Sequence, residues 1–463
     1  MTKFIDATQV ANASILDTDV CIVGAGAAGI TLATQLSKRG VEVTVLEGGA
    51  DRITGESQGL YRAEQTGLPY FDLTSCRLRF LGGTTNHWSG FCRENDPIDY
   101  EARPELGMSA WPVGYSKIRP YVEAAATMLG LDATVFNPHD VLLKLGLSTK
   151  DLLDTQSGEF ETKLFLMAKN LRFKDVFRAQ MEAHPRVRLI MNASVTGVRL
   201  RSDGQAVQHV DVMTPSRHAF KVRARRFILA AHAVENARLL LASNDVHAEG
   251  IGNQHDHVGR YFMEHPHVMS GLFFPSNKLP SLYSMESVRR LNLNANLGLS
   301  RQAMERRQVL QYYCRLLPVY DFRVTEKALK RVADGFWEPM DMRMLRALAR
   351  VTQRPLESAR AAAHHLKRYQ PKPVAYSLDH RIEQAPNPSS RVTLSDERDA
   401  LGVPKVRLHW QLNDIDYRTF AEGQRVVASE LGRLGMGQFK LEEMTPDVVN
   451  SGVEGHYHHD ARG

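Results

Sequence analysis

Three glycines and one acidic residue near the N-terminus have the types and the spacing that could hold a pyrophosphate and a ribose. Gly24, Gly26 and Gly29 form a GxGxxG pattern that includes Ala28, and Glu47 follows at the end of the next apolar run. In such a pattern, Gly24 permits a tight turn, Gly26 lets the backbone approach a pyrophosphate, and Gly29 lets a helix pack closely on a strand. The N–H groups at the start of that helix attract phosphate oxygens, and Glu47 can accept hydrogen bonds from ribose hydroxyls.

A second glycine-rich segment, residues 82–90, has a composition that is unusual for a turn. It reads Gly-Gly-Thr-Thr-Asn-His-Trp-Ser-Gly. Paired glycines and small hydroxyl residues suit a backbone that lies against a flat ring, with polar hydrogens directed at the edge of that ring. We therefore predict cofactor contacts from Gly82, Gly83, Thr84, Asn86, His87 and Trp88.

The elements that must position these residues form a βαβ unit. Asp19–Val23 is a short apolar run that predicts a strand and leads directly into the first glycines. Apolar residues then recur at helical spacing over Ile30–Leu36, and Lys38-Arg39-Gly40 is typical of a helix end. Val41–Leu46 alternates like a second strand and ends at Glu47. This context predicts a dinucleotide-binding unit, a fingerprint that an NAD(P)-linked dehydrogenase would share; the second glycine-rich segment favours a flavin.

Segments along the whole chain resemble the glucose–methanol–choline (GMC) oxidoreductase family. Arg79–Gly90, followed by Arg93 and Asp96–Tyr100, resembles the flavin-contacting segment of that family, and its Thr-Asn-His-Trp stretch is similar to pyranose-oxidising members. The other similar segments, in family order, are Val187–Val195, Phe227–Leu240, Gly252–Pro266, Glu383–Val392 and Gly455–His459. Together they cover most of residues 19–459.

The resemblance implies an α/β fold with two domains. The first is a Rossmann-like FAD-binding domain with a parallel sheet and a β-meander around Val187–Val212, assembled from residues 1–130, 186–275 and 440–463. The second is a substrate domain of α+β type, residues 276–439, with an antiparallel sheet that includes Gln308–Tyr313 and Val403–Trp410. Residues 131–185 are expected to be mostly helical and peripheral.

The resemblance also implies the activity and the remaining site residues. It implies FAD-dependent oxidation of a CH–OH group of a sugar, glycoside or polyol, with oxygen or another acceptor reoxidising the flavin. His458 would be the catalytic base with His459 as its neighbour, and a neutral imidazole suits that task. Further cofactor contacts would come from Val195, Ala231 and Arg238, and substrate contacts from Gln384 and Asn387. FAD is expected to be non-covalent, and a covalent link at His87 is the alternative.

Two positions depart from the family pattern. His232 stands where the family usually has glycine, so its side chain must find space near the nucleotide or force a different turn. The sequence given stops four residues after His459, where the family continues, so we expect the C-terminal part of the FAD domain to be incomplete. A catalytically inactive FAD-binding protein is therefore the alternative function. The segment that holds His456, His458 and His459 could also be a flexible tail, or a metal site with Glu454 or Asp460; we expect no native metal.

Length and composition exclude several other classes. The chain has 463 residues, of which 43% are hydrophobic and 24% charged, which is ordinary globular composition. Four cysteines without a CxxC pair exclude a disulfide scaffold. No apolar run is long enough to span a bilayer, and the N-terminus lacks the pattern of a signal peptide. The expectation is a soluble cytoplasmic protein, and a homo-oligomer remains open.

Positive charge is concentrated in one segment, residues 323–368. It contains 11 Lys and Arg and 5 Asp and Glu, so it carries the whole net charge of +6. The basic helix within it lacks interleaved aromatic residues, and the segment has no recognisable nucleic-acid module, so nucleic-acid binding is not expected. We predict a solvated amphipathic helix that begins near Pro339 and ends before Pro355. Docking to an acidic protein or to an anionic membrane surface is the alternative.

Overall fold

The structure is a computed structural model, and it describes residues 4–284, 287, 290–334, 342–366 and 372–454. Its helices are α1 (Ala27–Lys38), α2 (Gly55–Gly59), α3 (Tyr115–Met128), α4 (Pro138–Lys144), α5 (Phe173–Ala183), α6 (Ala233–Ala242), α7 (Arg301–Arg307), α8 (Arg323–Asp334), α9 (Met342–Gln353), α10 (Pro355–His365), α11 (Asp414–Arg433) and α12 (Pro446–Gly452). Its strands are β1 (Phe4–Asp6), β2 (Ile15–Val23), β3 (Val43–Leu46), β4 (Ala63–Gly67), β5 (Phe91–Cys92), β6 (Phe160–Met167), β7 (Val187–Met191), β8 (Ser194–Leu200), β9 (Val207–Met213), β10 (Ala219–Leu229), β11 (His267–Pro275), β12 (Leu293–Leu299), β13 (Tyr312–Val319), β14 (Ala375–Ile382), β15 (Arg391–Arg398), β16 (Pro404–Trp410), β17 (Gly437–Lys440) and β18 (Val453–Glu454).

The first sheet is the predicted nucleotide-binding sheet, with the strand order β1-β7-β3-β2-β10-β9-β8. The strands from β1 to β10 in this order run parallel, and β10, β9 and β8 form an antiparallel meander. The predicted α/β fold is thus confirmed. The meander lies later than predicted, because Val187–Met191 belongs to the parallel part, where its apolar side chains are buried on both faces.

The second sheet has eight antiparallel strands in the order β17-β11-β14-β13-β12-β6-β5, with β18 beside β11. One face packs against α11, and this interface forms the largest hydrophobic core, around Tyr312, Leu316, Leu378 and Phe420. The other face carries polar side chains, because charged and apolar residues alternate along β14.

The prediction that residues 131–185 are mostly helical and peripheral is wrong in one respect. Helices α4 and α5 lie there as expected, but β6 is an inner strand of the eight-stranded sheet and pairs with β12 along its whole length. Its buried residues, such as Phe160, Leu164 and Leu166, explain this position. The boundary at 276 is also displaced, since β11 belongs to the same sheet.

A third, small sheet has the order β15-β16-β4. It contains Pro404–Trp410, which we predicted to be a strand of the larger antiparallel sheet. The observed partner is instead β4, from the N-terminal part of the chain. The other predicted strand, Gln308–Tyr313, begins only at Tyr312, because Gln308 ends α7 in a left-handed conformation with φ of 52°.

The basic segment forms helices between two neighbouring strands of the large sheet. β13 ends at Val319 and β14 begins at Ala375, and α8, α9 and α10 lie between them and contact one another. Pro355 ends the preceding helix, as predicted, and also starts α10. Pro339 lies outside the described residues. Across the described ranges, no helix combines the length and the apolar character needed to cross a bilayer.

Candidate functional site

The glycine-rich loop lies between β2 and α1, where the parallel strands end. Gly24 has φ of +100°, and a Cβ atom there would lie 2.6 Å from the carbonyl oxygen of Ala230. A Cβ atom at Gly29 would lie 1.9 Å from the carbonyl oxygen of Gly24. The first glycine therefore allows the turn beside β10, and the last allows α1 to approach β2 closely.

A cleft opens at this edge of the sheet and encloses about 1220 Å³, part of it open to solvent. Its walls come from the ends of β2, β3 and β10, from the start of β8, and from the loop between β15 and β16. Nine of the predicted cofactor residues line it: Gly24, Gly26, Ala28, Glu47, Gly83, Thr84, Val195, Ala231 and Arg238. The carboxyl edge of a parallel sheet is where open α/β folds bind their ligands.

Glu47 sits at the end of β3 and is only 6% exposed. Its Oε2 accepts a hydrogen bond from the Ala25 N–H at 2.8 Å, and its Oε1 accepts one from the Gly49 N–H at 2.9 Å. Burial raises the pKa of this carboxyl, while the two backbone hydrogen bonds and Arg79 act in the opposite direction. Glu47 therefore holds the glycine-rich loop in place as well as facing the cleft, a role that the sequence analysis did not include.

The second glycine-rich segment reaches the cleft only through Gly83, Thr84 and Thr85. The Asn86 side chain donates hydrogen bonds to the carbonyl oxygens of Leu81 and Gly83, both at 2.9 Å, so it holds the loop itself. Five of the predicted cofactor residues lie outside the cleft lining: Gly29, Gly82, Asn86, His87 and Trp88.

Trp88 anchors the same segment to a neighbouring loop. Its Nε1 donates a hydrogen bond to the Leu171 carbonyl oxygen at 2.6 Å. Immediately after this residue, Phe91 and Cys92 form β5 and pair with β6. One continuous segment thus connects the nucleotide cleft to the edge of the eight-stranded sheet.

His232 occupies the turn where the sequence departs from the family pattern. It has φ of 79° and ψ of 149°, a backbone region that glycine adopts readily and other residues avoid. Its Nδ1 accepts a hydrogen bond from the Val234 N–H at 3.3 Å, which caps α6. Desolvation by the surrounding protein, together with the charge of Arg77, lowers the pKa of His232 to about 4. A neutral imidazole therefore lines the cleft near pH 7.

A buried group of charged side chains forms one wall of the cleft, and the sequence analysis singled out only one of them, Arg238. Arg238 Nη2 contacts Asp399 Oδ2 at 2.6 Å, and its Nη1 contacts Glu235 Oε2 at 3.2 Å. Glu235 also pairs with Arg77, at 3.0 Å. Arg238 therefore joins α6 to the β15–β16 loop, and its guanidinium is already used in ion pairs.

Arg77 is the member of this wall with free hydrogen-bonding capacity. It is 2% exposed, its guanidinium lies 4.0 Å from the centre of the Tyr61 ring, and its Nη2 has no hydrogen-bond partner in the described part of the chain. A buried guanidinium at the wall of a cleft suits an oxygen-rich anionic ligand. The sequence signal that could have indicated this role of Arg77 is the alternation Arg77-Leu78-Arg79.

The two predicted substrate residues, Gln384 and Asn387, are both buried and make contacts inside the protein. Gln384 is 2% exposed, and its Oε1 accepts hydrogen bonds from the indole N–H of Trp410 and the N–H of Glu264, while its Nε2 donates to the carbonyl oxygen of Gln411. Asn387 is also buried, and its side chain accepts from the Ser389 N–H in a local turn. Both polar atoms of the Gln384 side chain are therefore used inside the protein, and the Asn387 side-chain oxygen stabilises a local turn.

A more suitable polar surface lies on the face of the eight-stranded sheet opposite α11. Asp379 Oδ2 contacts Arg315 at 2.9 Å and Arg381 at 3.0 Å, and its Oδ1 lies 3.5 Å from His267 Nδ1. Burial raises the pKa of Asp379, but the nearby His267 and the two guanidinium charges outweigh it, so the pKa lies well below its usual range. We call these four residues the sheet-face cluster.

The sheet-face cluster lies near two segments with predicted roles at the flavin: the second glycine-rich segment and the segment before His458. The Arg315 guanidinium lies 5.7 Å from the centre of the Phe91 ring, at the end of the second glycine-rich segment. On the other side, β18 pairs with β11 at Val268 and His267. The predicted catalytic residues His458 and His459 follow β18 and lie outside the described residues.

Metal ligation has no support in the described part of the chain, where no group of three or more His, Cys, Asp or Glu side chains is arranged to hold an ion. The four cysteines, all described, are free thiols, and two of them, Cys21 and Cys314, are buried. Burial raises the pKa of Cys21 to about 12. It is therefore not a reactive thiolate at neutral pH.

Parts of this chain are similar in sequence to known proteins. It is 24% identical over 331 residues to the fructose dehydrogenase large subunit of Gluconobacter japonicus, covering 56% of this chain and 60% of that protein. It is 23% identical over 305 residues to the 2-methyl-1,2-propanediol dehydrogenase of Mycolicibacterium austroafricanum, covering 54% of this chain and 55% of that protein. The chain thus spans less than two thirds of the length of either relative.

Among solved structures, an FAD-dependent oxidoreductase from Chaetomium thermophilum is similar with a TM-score of 0.50 and 15% identity, covering 96% of this chain and 88% of that chain. The protein-family model for FAD-dependent oxidoreductases (DAO) matches residues 19–252, half of the chain, including the glycine-rich loop, Glu47 and the turn at His232. The cleft fits such a cofactor, because it offers backbone N–H groups at the start of α1 and a buried arginine with an unused N–H group. This chain belongs to the FAD-dependent oxidoreductase family, and its cofactor is FAD.

Proposed function

We propose that the protein is a GMC-type oxidoreductase that oxidises a CH–OH group of a sugar, glycoside or polyol to a carbonyl. The observation that carries this proposal is the continuity of the second glycine-rich segment. It borders the nucleotide cleft at Gly83 and Thr84 and continues through Phe91 to the polar face of the eight-stranded sheet. A substrate between these two surfaces would lie beside the cofactor and against the sheet-face cluster.

The sheet-face cluster suits a ligand with several hydroxyl groups. Arg315 and Arg381 share one carboxylate oxygen of Asp379, and both guanidinium groups have more N–H donors than this contact uses. Their side chains are 18% and 17% exposed, so they are not sealed in the core. The names of the two relatives, a fructose and a propanediol dehydrogenase, support a hydroxyl-bearing substrate.

The reaction divides between the chain and the cofactor. The hydroxyl proton passes to a neutral imidazole, for which we propose His458, with His459 beside it. FAD, when bound, supplies the acceptor for the hydride that leaves the carbon atom. The sheet-face cluster orients the hydroxyl groups that do not react, and Glu47 keeps the glycine-rich loop in its binding conformation. We propose non-covalent FAD, with His87 as a contact near the flavin.

The test is anaerobic reduction of the bound flavin by candidate substrates. We expect fructose, other sugars or diols to bleach the visible flavin band of the FAD-saturated protein, and the His458→Ala variant to bind FAD and bleach far more slowly. A flavin that no alcohol or sugar reduces would contradict the proposal and support a catalytically inactive FAD-binding protein.

A second measurement tests the mode of FAD attachment. Acid precipitation should leave the flavin in the supernatant, whereas yellow colour retained in the pellet would indicate a covalent link.

A further inference from the structure

The helices inserted between β13 and β14 form a second cleft, far in sequence from the nucleotide site. Its floor is made of two small buried residues, Ala328 of α8 and Ala347 of α9. Its walls are made of cationic side chains: Lys327 and Arg331 from α8, and Arg346 and Arg350 from α9. We call these four residues and the space between them the basic cleft.

Positive charge is concentrated in the basic cleft. Lys327 and Arg331 are four residues apart on one helix, and Arg346 and Arg350 are four residues apart on the other. The two positive charges within each pair therefore repel each other. None of the four makes an ion pair with an acidic residue in the described ranges. The neighbouring carboxylate of Glu357 accepts hydrogen bonds from Thr325 and Arg354 instead.

One group in the basic cleft lacks a hydrogen-bond partner among the described residues. The Nε of Arg350 is buried, and among the described residues nothing accepts its hydrogen. A buried donor without an acceptor is costly, and a ligand oxygen would remove that cost. Guanidinium groups match the oxygens of a phosphate particularly well, because two N–H groups can bind two oxygens at once.

We propose that the basic cleft binds a phosphate group. The side chains around it indicate where that phosphate comes from. Val324 forms the apolar rim of the cleft and is 55% exposed, and Met342 and Leu345 on α9 are 63% and 45% exposed. Cationic residues beside exposed apolar residues on amphipathic helices are typical of a lipid interface, so the headgroup of an anionic lipid is the expected source.

The test compares two double variants that remove the same charge. Arg346→Gln/Arg350→Gln removes half of the basic cleft, whereas Arg188→Gln/Arg201→Gln removes two exposed arginines from the nucleotide-binding domain. All proteins are saturated with FAD, so the nucleotide cleft is filled, and retention of the flavin spectrum shows that each variant is folded.

The first arm measures cosedimentation with vesicles of phosphatidylcholine and phosphatidylglycerol, and with phosphatidylcholine alone. We expect binding to the anionic vesicles only. A cation near an anionic surface contributes about 5-fold to binding, so the variant of the basic cleft should bind about 30-fold more weakly. The control variant should bind like the unmodified protein.

The second arm measures thermal stabilisation by inorganic phosphate against chloride at the same ionic strength. Stabilisation that the cleft variant loses and the control keeps, without vesicle binding, would assign the cleft to a soluble phosphate-bearing ligand. Equal effects of the two double variants in both arms, or no binding in either arm, would overturn the proposal.

Discussion

Replacing His232 by glycine should stabilise the protein, although it removes a side chain that caps a helix. His232 has φ of 79° and ψ of 149°, and a non-glycine residue in this region costs about 1–3 kcal/mol. Glycine removes that cost, but its freedom in the unfolded chain costs roughly 0.5–1 kcal/mol. Loss of the weak cap to Val234 costs a few tenths of a kcal/mol. The expected net gain for His232→Gly is about 1 kcal/mol.

The matched control is His232→Ala, which keeps the strained backbone and loses the cap. This variant should be less stable than the unmodified protein by about 0.5–1 kcal/mol. Urea unfolding of the three proteins without FAD measures the order, which should be glycine, then histidine, then alanine. A glycine variant no more stable than the alanine variant would refute the assignment of strain to this turn.

Three further predictions concern close packing, a buried ion pair and a buried imidazole. Gly29→Ala places a methyl group 1.9 Å from a backbone oxygen, so the purified protein should lose its flavin absorbance, whereas Gly55→Ala, with no atom within 4 Å, should keep it. Arg238→Met leaves the buried Asp399 carboxylate without its arginine and removes one of the two arginines that pair with Glu235, so it should lower the free energy of unfolding by about 3–5 kcal/mol. Addition of Asp399→Leu should restore part of it, and no restoration would contradict the ion-pair reasoning. Burial lowers the pKa of His380 from 6.5 to about 4, so the folded protein keeps this imidazole neutral and loses stability as the pH falls from about 6.5 to about 4. The loss of unfolding free energy from this one group is on the order of 3 kcal/mol. Urea unfolding of His380→Gln across that pH range should therefore show a weaker dependence of the free energy of unfolding on pH. An unchanged dependence would exclude His380 as the source of the loss.

The nucleotide-binding unit could be predicted from the sequence because its signals are local. The strand, the glycines, the helix and the second strand follow one another within residues 19–47. Each of these elements therefore restricts which structure the next segment can be predicted to form. The polar face of the eight-stranded sheet also has a local signal in the sequence, which the sequence analysis did not use. The alternation of Ser377, Asp379 and Arg381 with apolar residues along β14 places charged side chains on one face.

The remaining features depend on contacts between distant parts of the chain. Strand β6 has an ordinary apolar pattern, and only pairing with β12, more than 100 residues later, makes it an inner strand. The charged wall of the cleft joins Arg77 to Glu235 and Arg238 to Asp399, across separations of about 160 residues. Such pairs cannot be assigned from one sequence, because every buried arginine has many carboxylates along the chain that could be its partner.

The walls of the nucleotide cleft extend along the chain from Val23 to Val403, and this has a consequence for synthesis of the protein. A ribosome adds roughly 5–20 residues per second, so about 380 residues separate the first and last walls by on the order of 20–80 s. For about the first half of that interval, until β10 has been made, β2 and β3 exist without the strand that supplies the longest parallel pairing of β2. The nascent chain must therefore wait with an unpaired strand edge before it can enclose FAD, and chaperone contact in that interval should fall on the N-terminal strands.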